Sequence, residues 1–165
     1  EDIWQNIPYD LEEISVFERG WPKVPPEWRK NSLNDQVSEL RKLRTVINRM
    51  LESCRNNQEL GSSLEASVRV DITSENVKAA MQWLSKSESN EVDVLRDWLL
   101  VSSLQIGGEP WAEVLASEDN DIASVDIAKA KGLKCERCWH YEVEMSNNQN
   151  HPNICNRCER VVLAI

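Results

Sequence analysis

Apolar side chains recur every three or four residues between Leu33 and Cys54, which is the spacing of one face of an α-helix. The repeating positions are Leu33, Val37, Leu40, Leu43, Ile47, Met50 or Leu51, and Cys54. Gly61 follows and offers the positive φ at which helices commonly end. The pattern predicts one long amphipathic helix, with Cys54 as a buried free thiol on its apolar stripe.

A different pattern begins after Gly61. Apolar residues alternate with polar ones from 64 to 72, as in a strand with one buried face. The chain then predicts, in order, a helix from Ser74 to about Leu84, a polar loop at 85–91, a short helix near Val92, a strand at 99–106, a Gly107-Gly108 turn and a strand at 124–129. These elements predict a small α/β unit.

The first thirty residues contain four prolines, at positions 8, 22, 25 and 26, which exclude a long helix there. Trp4, Trp21 and Trp28 lie in this segment. We expect them to be packing anchors of a crossing segment. The amphipathic residues at the very start, without a visible beginning, indicate a piece of a longer chain.

The distribution of charge along the chain matters more for its possible partners than the net charge does. The chain carries a net charge of −9, and its acid is concentrated in residues 60–128, which hold thirteen negative and four positive side chains. Residues 27–59 hold seven positive and five negative side chains, and residues 129–165 hold six and four. A net acidic protein is a poor general binder of nucleic acid, so any phosphate contact depends on where individual Lys and Arg side chains lie.

No apolar run reaches the roughly twenty residues that span a bilayer, and the acidic start lacks the basic region of a secretion signal. We therefore expect no membrane partner. We also expect a compartment in which thiols stay reduced.

The chemistry is concentrated near the end of the chain. Cys135-Glu-Arg-Cys138 and Cys155-Asn-Arg-Cys158 are two Cys-x-x-Cys knuckles separated by sixteen residues. This spacing is typical of a four-thiolate zinc site, because each knuckle aims two sulfurs at one point. Four sulfurs leave no open position for water, so the zinc, one per chain, is structural and no catalytic residue is predicted.

Three other interpretations of the cysteines remain open. Two disulfides are one, although the odd Cys54 and the absent signal peptide argue against them. A rubredoxin-like iron site is another, although Trp139 and Glu159 stand where glycine usually follows the knuckle cysteine. In the third, His140 or His151 replaces a sulfur, although loop histidines are more often solvated.

Two sets of side chains are candidates for contact with RNA. The polar face of the long helix carries five basic residues, of which all but Arg55 are candidates, and each knuckle carries an arginine beside its second cysteine. The candidates are Arg41, Lys42, Arg44 and Arg49 on the helix, and Arg137, Trp139 and Arg157 at the knuckles. An aromatic ring on a rigid loop can stack on an unpaired base while an arginine holds the phosphate. The competing interpretation is a solvated helix face and a Trp139 that covers the metal.

Several stretches together resemble one family. They are residues 1–8 and 15–22, the run 43–52 continuing to Leu60-Gly-Ser-Ser-Leu-Glu-Ala66, and Lys134-Cys-Glu-Arg-Cys-Trp-His-Tyr141 with Ile154-Cys-Asn-Arg-Cys158. In this order they resemble the C-terminal portion of isoleucyl-tRNA synthetases, class I aminoacyl-tRNA synthetases that end in a zinc-binding domain.

The resemblance implies an α+β architecture of three parts. Residues 1–59 would end a helical anticodon-binding domain, 60–128 would form a small α/β connector, and 129–165 would form a zinc-ribbon-like domain that uses Cys135, Cys138, Cys155 and Cys158. The partners implied are the isoleucine tRNA and the remainder of the synthetase chain, with no DNA. The location implied is the cytoplasm of a bacterial-type cell, or a chloroplast or mitochondrion.

The resemblance also implies what this segment does not do. The whole enzyme would use ATP and Mg²⁺ to join isoleucine to its tRNA, and would hydrolyse misattached valine elsewhere. The family's His-x-Gly-His and Lys-Met-Ser-Lys-Ser motifs are missing, since His140 and His151 lie in neither. We expect recognition of tRNA without amino-acid activation. The alternatives are a structural zinc clamp that docks the C-terminus onto the synthetase body without RNA affinity, and a zinc finger of the DNA-repair glycosylase type.

Overall fold

The computed structural model describes residues 1–87 and 91–164, and the chain divides into two compact units, Glu1–Ser32 and Leu33–Ile165. Helices, a mixed four-stranded sheet and a small two-stranded sheet confirm the predicted α+β class. The predicted divisions at 59/60 and 128/129 fall inside the second unit and stay a prediction. Among the described residues, no helix combines the length and apolar character that crossing a bilayer requires.

The first unit has little regular structure. Helix α1 spans Asp2–Gln5, and a 3₁₀ turn spans Pro26–Trp28. Trp4 is half-buried: its indole Nε1 donates to the Glu13 carbonyl oxygen at 3.3 Å, and the Arg19 guanidinium lies 5.6 Å from its ring centroid. Trp21 and Trp28 are 97% and 71% exposed, so the expectation that all three tryptophans are anchors is wrong for these two.

The predicted long helix is α2, which spans Asn31–Asn56. Its apolar stripe is buried from Leu40 to Cys54, whereas Leu33 at the start of the stripe is 40% exposed. The helix ends before Gly61, because Gln58 adopts φ +62° and the Glu59 amide donates to the Cys54 carbonyl at 3.0 Å. That six-to-one bond satisfies a carbonyl that the helix end would otherwise leave unpaired.

The second unit is built on a four-stranded sheet with the order β2-β1-β4-β3. The strands are β1 (Ala66–Ile72), β2 (Ser103–Ile106), β3 (Ala116–Asp119) and β4 (Ala123–Lys129). Strand β2 runs parallel to β1, whereas β4 is antiparallel to both β1 and β3. The connection from β1 to its parallel neighbour carries helices α3 (Glu75–Ser87) and α4 (Glu91–Leu99).

The predicted helices and strands of this unit are confirmed in type, but the residues at which they begin and end differ from the prediction. Helix α3 continues through Ser87, so the predicted loop begins later than residue 85, and residues 88–90 of that prediction lie outside the described residues. The segment from Leu99 belongs first to α4, and strand β2 starts only at Ser103. Strand β3 has no sequence prediction, because its four residues are mostly polar.

One face of the sheet forms the hydrophobic core. Val68, Val70, Val125 and Ile127 are at most 1% exposed, and they share one cluster with the stripe of α2 and with Val77 of α3. Burial of each such side chain contributes about 1.5–3 kcal/mol. The long helix and the sheet therefore depend on the same core.

The opposite face of the sheet holds a buried ion pair. Arg69 on β1 and Asp126 on β4 are register partners, 2% exposed each, with the Arg69 Nη1 3.0 Å from the Asp126 Oδ2. Arg69 also donates from Nε and Nη2 to the Gly108 carbonyl oxygen at 3.0 and 2.6 Å. Asp126 accepts from the Ser117 hydroxyl at 2.7 Å and the Trp111 amide at 3.1 Å. This network fixes the 107–111 segment over the sheet.

Burial alone would favour the neutral form of Asp126, but the Ser117 hydroxyl, the Trp111 amide and the Arg69 guanidinium lower the pKa of this carboxyl below its usual value. A folded-state pKa below the unfolded one stabilises the protein above the unfolded pKa of about 3.9. That contribution is lost as the pH falls through the folded pKa.

We expect Asp126→Ala to lower the free energy of unfolding by about 3–5 kcal/mol, because it leaves the Arg69 charge buried without a partner. Urea unfolding at pH 7 measures the loss. Asp119→Ala is the control, since Asp119 is exposed on the neighbouring strand, and it should change stability by less than about 0.5 kcal/mol. Equal effects of the two substitutions would contradict the account of the buried pair.

Candidate metal centre

The first knuckle is the tip of a hairpin. Strands β5 (Leu133–Lys134) and β6 (Tyr141–Glu142) pair antiparallel, and the Cys135 amide donates to the His140 carbonyl oxygen at 2.9 Å. Gly132, with φ +101°, precedes the hairpin, and a Cβ there would lie 2.1 Å from the Glu142 carbonyl oxygen. Only glycine lets the two strands approach this closely.

The second knuckle opens a helix. Cys155 forms an isolated antiparallel bridge with Met145 and immediately precedes helix α5 (Asn156–Val162), which carries Cys158. The Cys155 amide also donates to the Cys135 sulfur at 3.3 Å, so the two knuckles contact each other directly. We refer to residues 132–163 as the knuckle lobe.

The four sulfurs lie together, all within 4.8 Å of one another, and three of the four cysteines are buried. The Sγ atoms of Cys138 and Cys155 are 3.7 Å apart. Zn–S bonds of about 2.3 Å in a tetrahedron place sulfurs about 3.8 Å apart, whereas a disulfide needs about 2.0 Å. The spacing fits a four-thiolate zinc ion, and all five cysteines of the chain are free thiols.

The acidities of the four thiols differ. Burial opposes ionisation of Cys135, yet the amides of Cys138, Cys155 and Arg137 outweigh it and lower the pKa of Cys135 to about 6. Burial and the neighbouring thiols raise the pKa of Cys155 to about 12, and burial is also the main cause of the raised pKa of Cys138. A divalent cation at the centre reverses this penalty, because it favours every thiolate.

The histidines take no part in the sulfur cluster. His140 is 7% exposed, so the expectation that it is solvated is wrong. Burial, together with the charges of Arg157 and Arg96, lowers the pKa of His140, so its ring is neutral near pH 7. His140 is therefore a buried residue of the knuckle lobe, with its Nε2 3.7 Å from the Asp97 Oδ1 of helix α4.

The arginine of each knuckle is close to the sulfurs. The Arg137 Nη1 donates to the Cys158 sulfur at 3.6 Å. The Arg157 Nη1 donates to the Asp97 Oδ2 of helix α4 at 2.9 Å. Burial works against the charge of Arg157, but its hydrogen bond to the Cys138 thiol and the Asp97 carboxylate raise its pKa.

A second contact holds the knuckle lobe to the α/β part. The Ser102 hydroxyl accepts from the Tyr141 amide at 2.7 Å and donates to the Leu64 carbonyl oxygen. Ser102 is 4% exposed and lies just before β2. Asp97 and Ser102 thus both hold the lobe, and neither is distinguished by any motif in the sequence.

Trp139 adopts φ +66°, the left-handed conformation that glycine takes in many knuckles. Its ring is 60% exposed and lies with the Lys134 Nζ 5.6 Å from its centroid. A bulky residue in this conformation stores about 1 kcal/mol or more of strain. Trp139 is not among the hydrophobic residues recorded as packing against the cysteine cluster.

Comparison with known proteins agrees with this geometry. The family described as "Zinc finger found in FPG and IleRS" matches residues 132–161. An isoleucine–tRNA ligase of Prochlorococcus marinus (strain NATL2A) is 79% identical over all 165 residues, and the chain spans 17% of its length. Ligases of the same name from Synechococcus sp. (strain CC9311) and P. marinus (strain MIT 9515) are 56% and 43% identical over 98% of the chain.

Throughout its length, the chain resembles isoleucine–tRNA ligases. This confirms the resemblance to the C-terminal region of that family. The family description names FPG as well, but identity over the whole chain favours the ligases over an isolated zinc finger. The family match and the sulfur cluster together support a structural zinc.

Only part of the basic face of helix α2 is available for contact with RNA, because several of its charged side chains already have partners in the protein. Lys42 pairs with Glu39 at 2.7 Å, and Arg49 pairs with Glu118. Arg44 lies 4.7 Å over the Trp98 ring centroid. Arg41 is exposed, and no ion pair of its guanidinium is found among the described residues. The predicted set is therefore not one continuous free surface.

A groove of about 1360 Å³ runs between the polar sheet face, the 109–115 segment and strand β6. Its charged lining consists of Arg96, Lys129 and Lys131 against Asp93, Glu109, Glu113 and Glu142. Three positive and four negative groups do not favour a polyanion.

We expect one equivalent of zinc per chain, held with an affinity that Cys138→Ala abolishes or strongly reduces and Cys54→Ala leaves unchanged, because Cys54 is buried far from the cluster on α2. Metal analysis after dialysis measures the stoichiometry. Removal of the metal by a chelator should raise amide exchange across 134–160 while the sheet core stays protected. Stoichiometric iron, or native protein with four reactive thiols and no metal, would contradict the site.

Proposed function

We propose that the chain is the C-terminal zinc-binding and tRNA-binding part of an isoleucine–tRNA ligase, the enzyme that joins isoleucine to its tRNA with ATP and Mg²⁺. The observation that carries this is 79% identity over all 165 residues to a protein of that name. The chain spans 17% of the curated relatives it matches, so the activity belongs to the whole enzyme. ATP and Mg²⁺ would bind in the remainder of the synthetase chain.

The proposed division of labour follows the three predicted parts. Residues 1–59 end an anticodon-binding domain, 60–128 connect, and 129–165 form the zinc domain. Their partners are the isoleucine tRNA and the remainder of the synthetase, with neither DNA nor a membrane. The relatives named above come from cyanobacteria, which supports the cytoplasm of a bacterial-type cell as the location, with an organelle as the second candidate.

The proposed metal is one structural zinc ion held by Cys135, Cys138, Cys155 and Cys158. When bound, the ion supplies charge neutralisation and a rigid four-point crosslink, and it has no open position for catalysis. The chain's own residues then set the shape of the lobe. The Gly132 hairpin and helix α5 each bring two cysteines, and the small cluster around them, with Ile154, has little other core.

The proposed RNA contact is stacking of an unpaired base on Trp139. The exposed ring, its strained backbone and the nearby Lys134 ammonium support this, because strain in an exposed aromatic residue needs a functional reason. Stacking on an aromatic ring contributes about 1–3 kcal/mol per base, and a lysine beside it favours the phosphate.

The other candidates for contact with RNA are Arg137, Arg157, Arg41, Lys42, Arg44 and Arg49. Arg41 is exposed, and among the described residues no ion pair of its guanidinium is recorded. Arg157 and Arg49 each already bind a carboxylate, so a phosphate would have to compete with Asp97 or Glu118. We therefore rank Trp139 and Arg41 above them.

A second candidate role has its own support. In the structural-clamp alternative the zinc domain only docks the C-terminus onto the synthetase body and has no RNA affinity. The Arg157–Asp97 bond and the Tyr141–Ser102 bond fit that alternative, because they hold the knuckle lobe to its neighbour without any RNA. The two roles differ in what exposed residues of the lobe contribute to tRNA binding.

We expect Trp139→Gly to weaken tRNA binding about tenfold or more while the chain melts at an equal or higher temperature. Glycine loses the stacking ring but also relieves the positive φ, which stores about 1 kcal/mol or more. Trp139→Ala should weaken tRNA binding equally without the gain in stability. Leu163→Ala, exposed in the same lobe, is the control for binding.

Filter binding with isoleucine tRNA at several salt concentrations measures the affinities. Unchanged affinity of both Trp139 variants, with wild-type binding intact, would favour the structural clamp. Affinity that is equal for isoleucine tRNA and an anticodon-mutated tRNA, and insensitive to salt, would contradict the proposed recognition itself.

A further inference from the structure

The two knuckles contact each other through their arginines in a reciprocal way. Arg137 precedes the second cysteine of the first knuckle and donates to Cys158, the second cysteine of the other knuckle, at 3.6 Å. Arg157 precedes Cys158, and Cys138, the second cysteine of the first knuckle, contributes to the raised pKa of its guanidinium. Arg137 thus contacts a sulfur of the opposite knuckle directly, and the charge of Arg157 interacts with one.

The charge of the site explains why such contacts matter. Four thiolates and one Zn²⁺ carry a net charge of −2, at a cluster in which three of the four cysteines are buried. Groups around a metal that hydrogen-bond its ligands typically change metal affinity by 10–100-fold. Two guanidinium groups at the sulfurs would bring the net charge of the cluster to zero.

The backbone does not serve all four sulfurs alike. Cys135 accepts from the Cys155 amide at 3.3 Å and from the amides of Cys138 and Arg137. Cys158 accepts from the Arg137 guanidinium at 3.6 Å. A charged side chain therefore supplies at this sulfur the kind of hydrogen bond that the amides supply at Cys135.

We propose that Arg137 and Arg157 are outer partners of the metal thiolates, each neutralising a sulfur of the opposite knuckle, and that this is their main role. The proposal rests on the proposed zinc ion and not on the proposed RNA contact. Arg157 has an additional task, because its guanidinium also binds Asp97 and so joins the metal centre to helix α4. Arg137 has no corresponding carboxylate recorded on that helix, which makes it a natural comparison.

The test measures zinc affinity of the full chain by competition with a chromophoric chelator, and the thiolate-to-metal absorption of the Co²⁺-substituted protein. Arg137→Gln and Arg157→Gln should each weaken zinc binding about tenfold or more and shift the Co²⁺ absorption, and the double variant should exceed either one. Arg137→Lys and Arg157→Lys should recover part of the loss. Arg160→Gln is the matched control, since it removes the same charge from α5 at an exposed position.

Each outcome is decisive. Affinities within twofold of wild type for both glutamine variants would overturn the proposal, as would an equal loss in Arg160→Gln, which would indicate net charge alone. Glutamine variants that keep zinc affinity but lose tRNA binding would assign the arginines to RNA instead. Failure of the wild-type chain to bind zinc would reject the metal site and the proposal together.

Discussion

Mutual repulsion among four sulfurs is the constraint on which the end of the chain depends. Cys135, Cys138, Cys155 and Cys158 crowd within 4.8 Å, and burial with neighbouring thiols raises the pKa of Cys155 to about 12 even while three amides favour an anion at Cys135. Such a cluster cannot ionise fully without a cation at its centre. The hairpin, helix α5 and the exposed Trp139 all take their positions from that requirement.

The α/β part also contains buried charges, but there the two charged side chains neutralise each other. Arg69 and Asp126 are buried as a pair, and every remaining polar atom around them that the structure records has a hydrogen-bond partner in Gly108, Trp111 or Ser117. Here the protein supplies its own counter-charge. The sheet therefore needs no metal, and its core of Val68, Val125 and Ile127 is independent of the small cluster around the cysteines.

The features that sequence reasoning found are those whose spacing is local. The Cys-x-x-Cys pairs, the three-four repeat of α2 and the alternation of β1 each repeat over a few residues, so a short window contains the whole signal. Arg157 and Asp97 lie 60 residues apart, and nothing periodic connects them. The alternation of β1 predicts one buried apolar face, but it cannot show that the 107–111 segment covers Arg69 on the other face. The sequence indicates Trp139 as a candidate residue, but it does not show that the backbone of Trp139 has a positive φ.

The hydroxyl of Ser102 has a consequence for how independent the three parts are. It accepts from Tyr141 on one side and donates to Leu64 on the other, inside a site with almost no solvent access. Transplanting the last forty residues onto another scaffold would leave the Tyr141 amide without its acceptor and Arg157 without its carboxylate. In the sequence this last segment looks like an independent domain, but in the structure it shares hydrogen bonds with the α/β part. A transplanted segment must therefore include both the α4–β2 connection and residues 60–66.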